Sequence, residues 1–352
     1  MRILYGVQAT GNGHITRARA MLPALRAQGI HVDFVFSGRE RHHYFDMEAF
    51  GRYRCFQGFT YNMHKGRVRW PQTLADARPG AFIGDVCRLD LRRYDWVLTD
   101  FEPVSAWAAK LQGVPSVGLA HQYALRYPLP GTPALPLLRW SISAFAPAQY
   151  YLGVHWQPFD APVLPPLIQA GNTTLSDDGF ILVYLPFESL TFVCRWLKPF
   201  TRHRFRIYAA TPYAFDEAAH IEVRPLSRQA FPLDLAHCSG IICNTGFGLC
   251  SEAMAAGKKI LTRPLQNQIE QQSNATVLQQ MGRATVMTDF DDEVLTQWLA
   301  QAAATQTLFP DPAPAVAQWL AGGCRTPVQQ VADSVWQHAG TAAQGLEPFK
   351  AV

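Results

Sequence analysis

No apolar run among the 352 residues reaches the roughly 18 that a membrane-spanning helix requires, so the chain is not expected to cross a bilayer. The opening MRILYGVQATGNGH has neither the long hydrophobic region nor the small-residue cleavage site of a secretory signal. It reads as a first strand running into a glycine turn, and the expected location is the cytoplasm. Cysteine is sparse and unpatterned: seven residues, an odd number without repeated spacing, exclude a disulfide framework and fit a reduced compartment. Cys238 and Cys243 are spaced like half a metal site, but no second pair accompanies them, so they read as buried thiols. Charged residues make up only 16% against 48% hydrophobic, which excludes a disordered chain and allows sizeable cores. Repeats of solenoid period and low-complexity tracts are also lacking. A length of 352 exceeds what one core usually serves and predicts two domains.

The small net charge of +4 conceals an asymmetry. Residues 1–165 carry 18 Lys+Arg against 11 Asp+Glu, a balance of +7, and the remainder carries 13 against 16, a balance of −3. Arg39, Arg41, Arg52, Arg54, Lys65, Arg67 and Arg69 contribute much of the excess. Such a half suits an anionic acceptor or an anionic membrane surface, or is simply a solvated basic face. No recognised nucleic-acid motif organises these residues, and no nucleic-acid partner is expected.

Strand and helix signals alternate along the chain. RILYGV is a continuous apolar run of the kind found in strands covered on both faces. Ile15, Ala18, Leu22 and Leu25 then recur at helical spacing up to Gly29. HVDFVF and DWVLTD read as strands, PVSAWAAKLQ as a helix opened by Pro103 and closed before Gly113, and PSVGLA as a strand. This is βαβ logic and implies a parallel sheet with helices on both faces. After proline-rich stretches at 128–136 and 158–166, FILVYL opens a second α/β half with FRIYA, IEVR, GIIC and KKILTR. The expected boundaries are 1–165 for the first domain, 166–178 for a linker, 179–325 for the second domain, and 326–352 for a terminal helix and tail able to pack back on the first.

Two junctions carry candidate chemistry. Gly11, Asn12, Gly13 and His14 lie between the first strand and helix, where glycines permit a tight turn or close ligand approach and the helix N-terminus offers free amides. The third glycine of a dinucleotide fingerprint is missing, and Arg17 follows instead, which disfavours a dinucleotide. In the second half, CNTGFGLCSEAMAAGKKILTRPLQNQIEQQSNA orders a strand end, a glycine turn, a helix with Glu252, another strand and a polar cluster. Asn244, Thr245, Gly246, Phe247 and Gly248 form the turn, whose amides suit a diphosphate. Glu252 stands just over one helical turn on, where a carboxylate can accept from both hydroxyls of a ribose. Glu270 and Gln271 open the next βα junction with side chains suited to sugar hydroxyls.

This ordered pattern resembles GT-B glycosyltransferases, in particular the UDP-glycosyltransferase and MurG-like families. Glu270-Gln271-Gln272-Ser273-Asn274 after Pro264 is similar to the end of the UDP-glycosyltransferase signature. Glu252 matches its ribose-binding Glu and Gly246 its phosphate-loop glycine, while Asn244 stands where many relatives have a phosphate-contacting His. The resemblance implies two Rossmann-type doubly wound domains facing a central cleft, an acceptor side in the first and a nucleotide-sugar donor, UDP above all, on the second. It implies His14 as general base and Asp100 of WVLTDFEP as its partner, with His121 a second candidate on the acceptor side beside Gly11, Asn12, Gly13 and Arg17. It further implies direct, inverting transfer to a small-molecule or lipid-linked hydroxyl, with no cofactor beyond the nucleotide-sugar substrate. Asp100-Phe101-Glu102 and Asp289-Phe290-Asp291 superficially match an acidic metal motif, but the first supplies the His partner and the second precedes a helix, so no metal is expected. Residues 50–70, with Phe50, Tyr53, Phe56, Phe59, Tyr61 and Trp70, and residues 127–140, with Leu135, Leu137, Leu138 and Trp140, are expected as acceptor-side loops. Two alternatives stay open: a nucleotide-sugar hydrolase, which Gly13-His14-Ile15-Thr16-Arg17 also resembles, and a non-catalytic sugar-nucleotide or lipid-binding protein of the same fold.

Overall fold

The computed structural model describes residues 1–44, 46–58, 63–64, 67–68, 79–132, 136–168, 173–211 and 218–339. Phe59, Tyr61, Lys65, Arg69, Trp70 and Leu135 of the sequence reading, residues 169–172 of the linker and the tail from residue 340 lie outside the described residues. Two compact units are present: the described residues within 1–58, 79–168 and 309–339 form one, and those within 63–68 and 173–308 the other.

In the first unit, β1 (Arg2–Gln8), α1 (Asn12–Ala27), β2 (His31–Ser37) and β3 (Tyr53–Phe56) come first. The two-residue strands β4 (Met63–His64) and β5 (Arg67–Val68) pair antiparallel and belong to the second unit. The first unit resumes with α2 (Pro79–Arg88), β6 (Trp96–Asp100), α3 (Pro103–Gln112), β7 (Ser116–Ala120), α4 (His121–Ala124), α5 (Pro136–Phe145), β8 (Tyr150–Val154) and β9 (Val163–Leu164). Its seven described strands are all parallel, in the order β3-β2-β1-β6-β7-β8-β9. β1 is buried along nearly its whole length, as its unbroken apolar run requires. Gly6 within it has a steric purpose, because a Cβ there would lie 1.9 Å from Ser105 Oγ at the start of α3. α1 buries Ile15, Ala18, Met21, Leu22 and Leu25 along one face.

The second unit contains β10 (Phe180–Tyr184), α6 (Leu190–Leu197), β11 (Arg204–Ala209), β12 (Ile221–Pro225), α7 (Ala230–His237), β13 (Gly240–Asn244), α8 (Phe247–Ala255), β14 (Lys259–Arg263), α9 (Ile269–Gln280), β15 (Thr285–Val286) and α10 (Asp292–Leu299). Its six described strands are again parallel, ordered β12-β11-β10-β13-β14-β15, over a core that includes Val183, Leu197, Ile207, Ile242, Leu261 and Trp298. From Phe309 the chain returns to the first unit, earlier than the expected 326. α11 (Ala313–Ala321) packs on α1, and α12 (Val328–Ala339) packs on β8 and β9, where the Trp336 indole donates to the Val163 carbonyl at 2.7 Å. Among the described residues no helix is long and apolar enough to cross a membrane.

Strand order reverses beside β1 in the first sheet and beside β10 in the second. In doubly wound sheets such switch points open a crevice at the carboxyl ends of the strands, where ligands bind.

Candidate active site

β1 and β6 are neighbours in parallel register, with Val7 opposite Asp100, so the turn leaving β1 and the last side chain of β6 meet at the same end of the sheet. His14 is on the first turn of α1 and Arg17 lies three residues later on the same face. Asp100 is wholly buried between them, with His14 Nδ1 2.8 Å from its Oδ1. Arg17 grips the same carboxylate with a fork, donating from Nε to Oδ2 at 2.7 Å and from one terminal nitrogen to Oδ1 at 2.6 Å. Burial pushes the Asp100 carboxyl up, and the Arg17 guanidinium and His14 imidazole more than offset it, leaving it below the ordinary carboxylate value. The carboxylate therefore stays charged at neutral pH. When His14 Nδ1–H donates to Asp100, Nε2 is left as an acceptor without a described protein partner.

The backbone after Asp100 is bent to serve both neighbours. Phe101 adopts φ +56, a left-handed conformation costing about 1–2 kcal/mol in a residue with a Cβ. Its ring holds the bend by stacking on Phe145 at 4.7 Å and meeting Tyr123 edge-on at 5.4 Å. Beyond it Glu102 turns inward and caps α3, accepting from the amides of Val104 at 2.9 Å and Ser105 at 2.6 Å. Asp291 likewise accepts from Glu293 and Val294 at the start of α10. The acidic pairs that look like a metal motif thus place one carboxylate of each on a helix cap.

The remaining first-unit candidates fall into four roles. Gly11 precedes α1 as an N-cap without a side-chain hydrogen bond, and no acidic residue occupies the first turn. Neither Gly11 nor Gly13 has positive φ, and a Cβ on either would meet nothing within 4 Å. A tight turn is therefore not why they are glycine, and open space above the helix end is what they provide. Asn12 accepts from Arg39 at 2.8 Å. Arg17, expected on the acceptor or phosphate loop, is buried and committed to Asp100. His121 is buried at the end of β7, with Nδ1 2.8 Å from the Val154 carbonyl and its ring 5.0 Å from that of His155, a place in the framework of β7 and β8.

In the second unit, Gly246 is the N-cap of α8, without a side-chain cap and without an acid in the first turn. A Cβ on Gly246 would also meet open space. Phe247 is buried, which leaves its backbone amide as its contribution to the turn, and Gly248 follows within the helix. The turn is clamped from below: Gln271 Oε1 accepts from the amides of Thr245 at 3.2 Å and Leu265 at 3.0 Å. Asn274 donates to the Thr245 carbonyl at 3.1 Å, and the Thr262 and Thr245 hydroxyls are hydrogen-bonded at 2.9 Å. Asn244 spends its amide nitrogen on the Arg263 carbonyl at 3.1 Å, leaving a buried Oδ1 with no partner among the described residues. That oxygen is an acceptor and would repel a phosphate.

Glu252 differs from every other carboxylate of the site. It is half-buried on α8, no described donor or cation meets it, and burial pushes it up to about 7. Glu270 is half-buried in the first turn of α9. Sequence reasoning missed three features: the Arg17 fork, the clamp made by Gln271, Thr262 and Asn274, and the Arg263–Glu188 ion pair at 2.5 Å beside β14. For Arg17 a signal existed, since its spacing of three from His14 on a helix predicts neighbours.

The model of glycosyl transferase family 1 matches residues 1–135 and 150–302. The chain belongs to this family. It is therefore a glycosyltransferase, and its two parallel-sheet units are those of the GT-B fold. No curated protein matches it in sequence. Among solved structures, MurG of Acinetobacter baumannii aligns with a TM-score of 0.52 at 16% identity, covering 96% of this chain and 99% of that one. The Streptomyces sp. SF2575 glycosyltransferase SsfS6 complexed with thymidine diphosphate gives 0.56 at 13%, over 96% and 99%. LpCGTa in complex with UDP gives 0.54 at 14%, over 98% and 96%. At these identities the likeness concerns the fold.

Proposed function

We propose that this glycosyltransferase moves a sugar from a nucleoside diphosphate donor to a hydroxyl acceptor by direct displacement with inversion, with His14 as base. The observation that carries the reading is the His14–Asp100 contact at 2.8 Å at the switch point of the first sheet. His14 Nε2 takes the acceptor's proton as its oxygen bonds to the anomeric carbon, and the bond to the diphosphate breaks with its electron pair. Asp100 orients the imidazole and offsets the charge of the imidazolium. The uncapped start of α8 offers amides to the diphosphate, and Glu252 offers its carboxylate to the ribose hydroxyls. UDP is the favoured nucleotide by resemblance, and the neighbours solved with UDP and with thymidine diphosphate make both bases worth testing. Leaving-group charge meets helix amides on this reading, so turnover should survive EDTA.

The deciding experiment is product analysis by NMR with candidate acceptors. A glycoside whose anomeric configuration is opposite to the donor's supports the proposal. Free sugar formed at the same rate with no acceptor identifies a hydrolase instead, the alternative that the Gly13–Arg17 run also resembles.

A second reading concerns where the acceptor is met. α5 leaves Leu137 and Trp140 68% and 66% exposed, with exposed Arg139 between them, within the half that carries the +7 balance. An apolar ridge flanked by positive charge suits the headgroup region of an anionic bilayer and a lipid-linked acceptor. Binding to vesicles should rise with anionic lipid and fall with salt. Equal partitioning to neutral and anionic vesicles would count against the charge reading, and binding to neither would leave a water-soluble acceptor.

A further inference from the structure

We propose that Arg17 is the positioning residue of this site: its fork fixes Asp100, and its permanent charge opposes protonation of His14, keeping the imidazole free to take the acceptor's proton. The inference rests on the His14 reading above and goes beyond a two-residue His–Asp pair. Both carboxylate oxygens of Asp100 are taken by Arg17, at 2.7 and 2.6 Å, which leaves the carboxyl plane one orientation. The terminal nitrogen that bonds Oδ1 also lies 2.9 Å from His14 Nδ1, so imidazole, carboxylate and guanidinium meet around one oxygen.

A buried carboxylate alone beside an imidazole favours the imidazolium and would fill the lone pair that a base needs. A guanidinium as close as the carboxylate weakens that field without abolishing it, and it does so at every working pH because arginine does not deprotonate. Tyr5 on β1 and Tyr123 on α4 also sense Asp100. Burial first pushes both phenols well above their ordinary value, with Asp100 next for Tyr5 and Tyr151 ahead of Asp100 for Tyr123, so both are neutral. Among the described residues, the charged groups in hydrogen-bond contact with His14 are Asp100 and Arg17. A merely structural Arg17 would neutralise the buried carboxylate and do nothing more.

The test is the pH profile of kcat, at saturating donor and acceptor, for the full-length wild type, Arg17→Met and Arg17→Lys. Removing the charge in Arg17→Met should move the acid limb to higher pH. Arg17→Lys keeps the charge and loses the fork, so its limb should stay near that of wild type while kcat falls. If Arg17→Met does not fold, Arg17→Gln, still a donor to Asp100, carries the same expectation. An acid limb that stays in place in the folded neutral variant overturns the proposal. That failure is distinct from failure of the base assignment, in which His14→Ala itself keeps full turnover.

Discussion

The two switch points of this glycosyltransferase are built on the same sheet topology and have opposite electrostatic states. In the first unit the key groups are saturated by one another: Asp100 holds His14 and is held by Arg17. In the second unit Glu252 has no described partner and sits near pH 7 because burial disfavours its charge, and the turn before α8 is fixed from below while its glycine faces open space. Mutual saturation at one site and unspent polar groups at the other suit different tasks. A group that must be ready for proton transfer gains from being oriented in advance, whereas a ligand site keeps its polar groups unspent until the ligand supplies partners.

Breaking the saturated site should have the largest effect. Asp100→Asn cannot balance an imidazolium, and its amide allows the wrong imidazole tautomer, so turnover should fall about 10²–10⁴-fold. Steady-state assays at several pH values check this, and a loss below threefold would detach Asp100 from the chemistry.

Glu252 in the second unit predicts a loss of binding. Replacing Glu252 by Ala removes hydrogen bonds to a charged acceptor worth about 1.5–3 kcal/mol, hence a tenfold to hundredfold weaker nucleoside diphosphate. Unchanged affinity by calorimetry would remove Glu252 from the donor site.

The same residue gives the comparison a pH axis. Because its folded pKa is raised to about 7 from an ordinary 4.5, the free protein loses stability as pH rises between those values. Glu252→Gln should therefore be the more stable protein at pH 8, and the gap should close on acidification. Ribose hydroxyls favour the carboxylate form, so wild-type affinity should rise with pH through 7 and that of Glu252→Gln should stay flat. Parallel affinity curves for the two proteins would contradict this.

Glycines sharpen the contrast at the smallest scale. Gly6→Ala must displace Ser105 and press on the Glu102 cap, so it should cost about 1–3 kcal/mol and lower Tm by several degrees. Gly11→Ala and Gly246→Ala meet no protein atom and should leave Tm nearly unchanged while weakening ligand binding. Equal Tm losses in all three would mean that the turn glycines serve the fold.

Much of this was legible in the sequence. The strand RILYGV, the His14 junction and the end of WVLTD required only periodicity and turn residues, and parallel pairing of β1 with β6 then brings His14 to Asp100. Glu252 was visible through its spacing from the glycine turn. What stayed hidden depends on tertiary direction. Gln271 reads as a ligand for sugar hydroxyls, yet its carbonyl oxygen turns inward to two amides, a choice set by the neighbouring strand end. Phe247 is core for the same reason. The return at Phe309 was hidden because α11 carries an ordinary apolar face, and nothing local says which sheet it covers.

The division of labour between the two sites is tested most directly by one variant read in two ways. His14→Ala should bind the nucleoside diphosphate within about twofold of wild type by calorimetry while turnover falls about 10²–10⁴-fold. Nucleotide affinity that falls in step with turnover, or turnover that survives the substitution, would contradict the account.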